Sequence, residues 1–279
     1  MLATSNGQTI SSLEKLEIEL LLEGIYRVSG YDFRNYVLSS IRRRIWHRVQ
    51  AERLSTITGL QERVFHDRAC MCRLIRDFSI QVTEMFRDPE FFKSFRKNVI
   101  PLIKDVPLIK LWHAGCSTGE EVYSMAILLL EEGLYDKTRL YATDMNENAI
   151  EMAIRGAYPL GKMKTYTSNY LHAGGRQSFS NYYTLCGENA VFDNELRKNI
   201  VFAQHNLVSD SSFNEFNVII CRNVLIYFNK ELENKVHGLF YNSLGPRGIL
   251  ALGNKETINY TIYNDKYSEI DTEKLFIKR

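Results

Sequence analysis

The segment that most restricts how this chain can fold runs from Leu108 to Leu130 and is answered further on by Asp144. Its first part, Leu108 to Ala114, is an apolar run with the length and character of a buried strand. Gly115 and Gly119 bracket a short turn, and Val122, Met125, Ala126, Leu129 and Leu130 then recur at helical spacing. Strand, glycine turn and helix form the front of a βαβ unit, where backbone can approach a nucleotide closely. A second strand is expected at Arg139–Thr143, and it ends in Asp144. From that position a carboxylate can accept hydrogen bonds from both ribose hydroxyls. The expected ligand is a nucleoside.

The turn departs from G-x-G-x-x-G, the spacing that dinucleotide sites use. Glu120 and Glu121 stand in the first turn of the helix, where they suit the helix dipole but would repel a pyrophosphate. A ligand with hydroxyls and positive charge fits better, and S-adenosylmethionine combines adenine, ribose, an ammonium and a sulfonium. The plainer alternative is that both glutamates only cap the helix. Asp144 at the end of the next strand favours the methyl donor.

Four separated motifs carry a resemblance. They are Val82-Thr83-Glu84-Met85-Phe86-Arg87-Asp88-Pro89, then Ala114-Gly115-Cys116-Ser117-Thr118-Gly119-Glu120-Glu121-Val122-Tyr123-Ser124, then Ala142-Thr143-Asp144-Met145-Asn146, and Cys221-Arg222-Asn223-Val224-Leu225-Ile226-Tyr227-Phe228. In this order and spacing the chain resembles the CheR family, S-adenosylmethionine-dependent protein-glutamate O-methyltransferases of chemotaxis receptors, from about Asp32 to about Thr257. Two departures stand out: Val122 where the family often has proline, and Gln81 where it often has asparagine. The resemblance implies a Rossmann-like class I methyltransferase: an α/β fold with a mostly parallel sheet, an N-terminal helical domain and a small inserted β-subdomain. It implies donor contacts from Gln81, Thr83, Arg87, Gly115, Glu120, Asp144, Arg222 and Asn223, and adenine contacts from Asn206 and Leu207. Read without it, Arg87 is a surface arginine beside a helix cap and Asn206 a turn asparagine.

Methyl transfer from a sulfonium to a carboxylate needs no general base, because the nucleophile is already ionised at neutral pH. Catalysis then rests on holding the carboxylate in line with the methyl group and excluding water. Arg87 and Tyr227 are the candidate catalytic residues. The Tyr227 ring or hydroxyl could face the sulfonium, and a cation over an aromatic face gains about 0.5–2 kcal/mol. Its alternative is a half-buried tyrosine on a strand-to-helix connection.

The organisation follows from periodicity. Residues 1–12 are polar and unpatterned, as in a disordered tail. A helical domain is expected over 13–80, with one apolar stripe of Leu13, Leu16, Leu20, Leu21, Ile25 and Val28 and another of Phe33, Val37, Ile41, Ile45 and Val49. Residues 81–107 read as a linker with a short helix begun by Asp88-Pro89, and 108–279 as the donor-binding domain, rich in alternating strands and helices. About 158–198 the rhythm stops: tyrosines, glycines and polar residues occur without helical period, over a length that implies structure of its own. The family places its β-subdomain here, and in some members that subdomain docks a receptor's tail peptide.

Arg42, Arg43, Arg44 and Arg48 crowd one helical segment. Most such runs are solvated faces, but this one could steer acidic receptor helices and so bind the protein substrate. Nucleic-acid methylation is the rival use of such a cluster. The net charge of +2 argues against a general nucleic-acid binder, and the acidic-Pro-aromatic tetrapeptide of amino-methylating enzymes is absent. A non-catalytic donor-binding sensor or scaffold is the other alternative. No run reaches the ~20 apolar residues of a membrane span and no signal-peptide pattern begins the chain, so a cytoplasmic protein, not membrane-inserted and monomeric, is expected. The five cysteines and six histidines show no paired metal spacing, and no metal is expected.

Overall fold

The computed structural model describes residues 11–79 and 83–279, which fall into two compact units, the first ending at Ile80 and the second beginning at Gln81. In the first unit four helices follow one another: α1 (Ser12–Ser29), α2 (Leu38–Ala51), α3 (Ile57–His66) and α4 (Arg68–Phe78). Of the tail expected over residues 1–12, Ser12 begins α1 and the Ser11 hydroxyl caps it by accepting the Glu14 N–H at 3.0 Å. Residues 1–10 lie outside the described residues.

The stripe expected on α1 is corrected. Ile18, Leu21, Leu22 and Ile25 are buried, whereas Leu13, Leu16, Leu20 and Val28 are half or more exposed. Leucine occurs on both sides of this helix, and Ile18–Leu22–Ile25 completes the narrower i, i+4, i+7 face. On α2 the expected Ile41, Ile45 and Val49 are buried, together with Phe33 just before the helix.

The second unit opens with α5 (Pro89–Ser94), a single π-helical turn (Phe95–Val99) and α6 (Ile100–Ile103). The stretch expected as a linker joins the main core: Met85, Phe86, Phe91, Phe92 and Phe95 are fully buried with Leu111 and Val122. Asp88 precedes Pro89 but makes no side-chain cap; its carboxylate serves elsewhere. The alternating series comes after these helices: β1 (Ile109–Ala114), α7 (Glu120–Glu131), β2 (Thr138–Asp144) and α8 (Glu147–Arg155).

An insertion comes next, with β3 (Ala157–Pro159), α9 (Leu160–His172), β4 (Tyr183–Cys186) and β5 (Asn189–Phe192). The series resumes with β6 (Ile200–Gln204), β7 (Phe216–Cys221), α10 (Lys230–Ser243), β8 (Leu244–Leu252), β9 (Tyr267–Asp271) and β10 (Leu275–Lys278). Seven strands form one sheet in the order β6-β2-β1-β7-β8-β10-β9, parallel from β6 to β8, with β10 antiparallel to β8 and β9. β1 and β7 are buried at nearly every position, as strands covered on both faces are. No helix among the described residues is long and apolar enough to cross a membrane.

The insertion forms a three-stranded antiparallel sheet, β3-β5-β4, as the resemblance implied. The expectation that it lacks helical period is wrong, since α9 occupies thirteen of its residues and buries Met163, Tyr166 and Tyr170. Its period is carried by tyrosines, which read equally as strand or turn residues. One buried acid joins the insertion to the core. Glu131, at the end of α7, accepts the Tyr170 hydroxyl at 2.5 Å, the Tyr182 hydroxyl at 2.9 Å and the Arg176 N–H at 3.0 Å, and pairs with Arg96. Burial pushes its carboxyl up, but these donors outweigh that and hold it below the usual carboxylate range.

Candidate functional site

In the strand order the chain moves outward from β1 to β2 and β6, then returns to lay β7 on the other side of β1. The carboxyl ends of β1 and β7 therefore flank the point where the winding reverses, the usual ligand crevice of an open α/β sheet. Gly115 leaves β1 with φ +80°, and its N–H and that of Cys116 each reach the Thr143 carbonyl at 2.8 Å. A Cβ at Gly115 would lie 2.6 Å from Val224 Cγ2, so glycine is required for the two loops to approach.

Asp144 ends β2 beside this turn. Its Oδ2 accepts the Ser117 N–H at 2.8 Å and its Oδ1 the Asn146 N–H at 2.9 Å. Burial raises its carboxyl above the usual range, against the opposing N–H groups of Asn146, Ser117 and Met145. Ser117 has φ +52°, and its buried Oγ has no hydrogen-bond partner among the described residues. A carboxylate fixed by backbone beside an unpartnered buried hydroxyl fits a polyhydroxyl ligand.

The paired glutamates face different neighbours. Glu120, 1% exposed, accepts the Thr118 hydroxyl at 2.6 Å and, from α9, the Tyr166 hydroxyl at 3.2 Å, with Lys162 Nζ at 3.5 Å. Glu121 takes the Arg222 guanidinium at 2.8 Å, and His113 Nδ1 lies at 3.4 Å. Burial pushes the Glu121 carboxyl up, but the charge of Arg222 and the His113 contact win and hold it low.

Arg222, expected to contact the donor, is tied into the protein by its side chain. Its side chain is fully buried: it holds Glu121 and, at 2.8 Å, Asp88, donates to the Arg87 carbonyl at 3.4 Å, and lies 4.0 Å above the Phe91 ring. The guanidinium is tied through its two terminal nitrogens to Glu121 and the Phe86–Asp88 loop, while its buried Nε has no hydrogen-bond partner among the described residues. Sequence reasoning missed this clamp because its partners stand 101 and 134 residues away.

Asn223 comes next with φ +63°, and Tyr227 sits in the helical turn Leu225–Tyr227, part-exposed. Asn206 is the turn residue that its plainer reading described: its Oδ1 accepts the Val208 N–H at 3.0 Å and its own N–H reaches Asp210 at 2.8 Å, with Leu207 buried next to it. Its amide nitrogen has no such duty in these bonds. Thr83 and Arg87 are part-exposed in the loop before α5, and Gln81 lies outside the described residues. Non-glycine residues with positive φ include Phe86, Asp88, Ser117 and Asn223, so strained backbone recurs in all three loops of this edge.

In the first unit the basic cluster does not form a shared face. Arg42 pairs with Glu14 at 2.7 Å, and Arg48 with Asp77 at 2.7 Å and Glu52 at 3.3 Å. Arg44 is buried and donates to the Phe78 carbonyl at 2.5 Å. Arg43 alone of the four is exposed. A residue that sequence reasoning missed is Glu256, 3% exposed, which accepts four backbone N–H groups at this edge.

With this geometry in view the comparisons are decisive. Residues 81–275 match the family model described as CheR methyltransferase, SAM binding domain, and residues 16–79 the one described as CheR methyltransferase, all-alpha domain. The chain belongs to the CheR methyltransferase family. S-adenosylmethionine is the cofactor of this CheR-family chain, and the glycine turn, Asp144 and Ser117 Oγ are suited to it. Cher3 of Pseudomonas putida, whose methyltransferase name is provisional, is 48% identical over 264 residues, covering 94% of this chain and 97% of its own. An uncharacterised 104.1 kDa protein of Rhodobacter capsulatus is 31% identical over 243 residues, 84% of this chain but 25% of its own. The chemotaxis protein methyltransferase of Listeria monocytogenes is 28% identical over 236 residues, with 84% and 87% covered.

Proposed function

We propose that this CheR-family chain transfers a methyl group from S-adenosylmethionine to glutamate side-chain carboxylates of a chemoreceptor-type signalling protein in the cytoplasm, leaving glutamate methyl ester and S-adenosylhomocysteine. The observation that carries the reading is Asp144, a buried carboxylate held by two backbone N–H groups beside the glycine turn at the reversal of the sheet. Chemotaxis methyltransferases among its relatives favour a receptor as acceptor.

When bound, the donor supplies a methyl group made electrophilic by its sulfonium. Asp144 would accept from the ribose hydroxyls, Asn206 and Leu207 would meet the adenine, and Glu120 would join them in holding the donor. Thr83 and Arg87 would take the methionine end, with Arg87 held by the Arg222 clamp on its own carbonyl. Tyr227 aims the incoming glutamate, already ionised at neutral pH, so no proton need be removed. Positioning of this kind can supply about 7–11 kcal/mol of barrier lowering. Arg43 steers the acidic acceptor, and the inserted sheet offers a place for a tethering peptide.

Incubation with methyl-labelled donor and membranes of the source organism tests the reading. Base-labile label on a receptor-sized band is expected. Label in nucleic acid would replace it with nucleic-acid methylation, and donor binding without any transfer would leave a sensor or scaffold.

A further inference from the structure

The loop after β7 is held from inside by a carboxylate that the methyl-transfer reading leaves without a role. Glu256 Oε1 accepts the Val224 and Leu225 N–H groups, both at 2.8 Å, and Oε2 accepts Asn223 N–H at 3.1 Å and Gly253 N–H at 2.6 Å. Three successive amides thus converge on one anion. Asn223 is left-handed, with φ +63°, and Val224 returns to φ −113°, ψ −51°. That alternation makes a backbone nest, a concavity that binds anions. Here the anion is the chain's own.

The packing leaves nothing spare. A Cβ at Gly253 would lie 2.7 Å from Glu256 Oε2 and 2.9 Å from the Asn223 nitrogen, so the ends of β7 and β8 meet across the carboxylate. The pinned residues in turn hold the helical turn beyond them. The Val224 carbonyl accepts the Tyr227 N–H at 3.2 Å, and the Leu225 carbonyl accepts that of Phe228 at 2.9 Å. Glu256 is therefore one hydrogen bond removed from the backbone of Tyr227.

We propose that Glu256 is a positioning residue: its carboxylate, filling the Asn223–Leu225 nest, fixes the loop that presents Tyr227 to the reaction. This rests on the reading that Tyr227 aims the acceptor. A carboxylate that merely stabilises the fold would give equal losses everywhere, whereas a pin gives losses confined to the loop and to turnover.

Glu256→Gln is the decisive variant, because it keeps the volume but turns one acceptor oxygen into a donor facing two N–H groups. Amide exchange of the segment around residues 223–225 should quicken by about tenfold or more while other segments keep their protection. The dissociation constant of S-adenosylhomocysteine should stay within about threefold, and kcat with receptor membranes should fall by about 100-fold, as misplacement on the ångström scale does. Formate should restore part of the activity of Glu256→Ala by occupying the empty nest, and none of that of Tyr227→Phe. Unchanged exchange in Glu256→Gln overturns the pin, as does wild-type kcat. Exchange that rises throughout the unit, with donor affinity lost in step, overturns it in favour of a general scaffold. Wild-type protein that labels no membrane protein overturns the functional reading alone, since exchange decides the pin without an acceptor.

Discussion

The carboxyl edge of the large sheet and helix α2 both concentrate charged side chains, and they satisfy them in opposite ways. On α2 two of the charges meet opposite charges, Glu14 taking Arg42 and Asp77 and Glu52 taking Arg48, while Arg44 donates to the Phe78 carbonyl. At the sheet edge, Asp144 and Glu256 are held by backbone N–H groups, with no salt-bridge partner among the described residues. Ion pairing uses up a charge, whereas backbone donors orient one and leave its field in place. The second arrangement suits a site, and the first suits a helical bundle that needs its surface tied down.

The sharpest break of this contrast is Arg222, a cation at the edge that is paired with two acids. Arg222→Leu strands Asp88 and Glu121 and should cost about 3–5 kcal/mol of stability, read by thermal or denaturant unfolding. A variant that unfolds like the wild type but no longer binds S-adenosylhomocysteine would make Arg222 a donor ligand after all.

Asp144→Ala comes next, with an expected loss of about 1.5–3 kcal/mol in S-adenosylhomocysteine binding by calorimetry. Unchanged affinity in a folded variant would remove the ribose assignment. The pH dependence has a definite sign. Burial raises the Asp144 pKa, so its proton returns at a higher pH than for an ordinary carboxyl, and with it the acceptor is lost. Donor affinity should weaken as pH falls through that raised value, and Asp144→Asn should flatten the profile.

Tyr227→Phe should lower kcat by about 10- to 100-fold with donor affinity nearly intact. Normal turnover at saturation would reduce Tyr227 to a pocket wall. The smallest effect belongs to α2. Arg43→Glu should raise KM for receptor by no more than about fivefold, and less at high salt, with unfolding unchanged. Arg48→Glu should instead lower the stability of the first unit, since it opposes Asp77 and Glu52. If Arg48→Glu keeps its stability and alters KM, the two regions are not as different as their contacts indicate.

The features legible from residues alone divide along the same line. Gly115, Asp144 and the series β1–α7–β2 are local: an apolar run, a glycine and a carboxylate at a strand end dictate backbone geometry within a few residues. The Arg222 clamp, the Glu256 nest and the pairing of Arg42 with Glu14 depend on partners brought together by the fold, and nothing near Glu256 in the chain marks it. The C-terminal hairpin β9–β10 escaped for another reason, since its strands of five and four residues mix charged and apolar side chains without clear alternation. On α1, abundant leucine gave two candidate faces, and only packing chose between them.

Glu131 has a consequence for anyone who would trim this protein. Its carboxylate is shared between Arg96 on the core side and Tyr170, Tyr182 and Arg176 on the insertion side. Excising the insertion as a cassette would strip Glu131 of three of these four partners and open to water the core face that Tyr170 and Tyr182 cover. A shortened enzyme would need the apolar face left behind recoated with polar residues, so the inserted module and its host are separable only as a matched pair of edits.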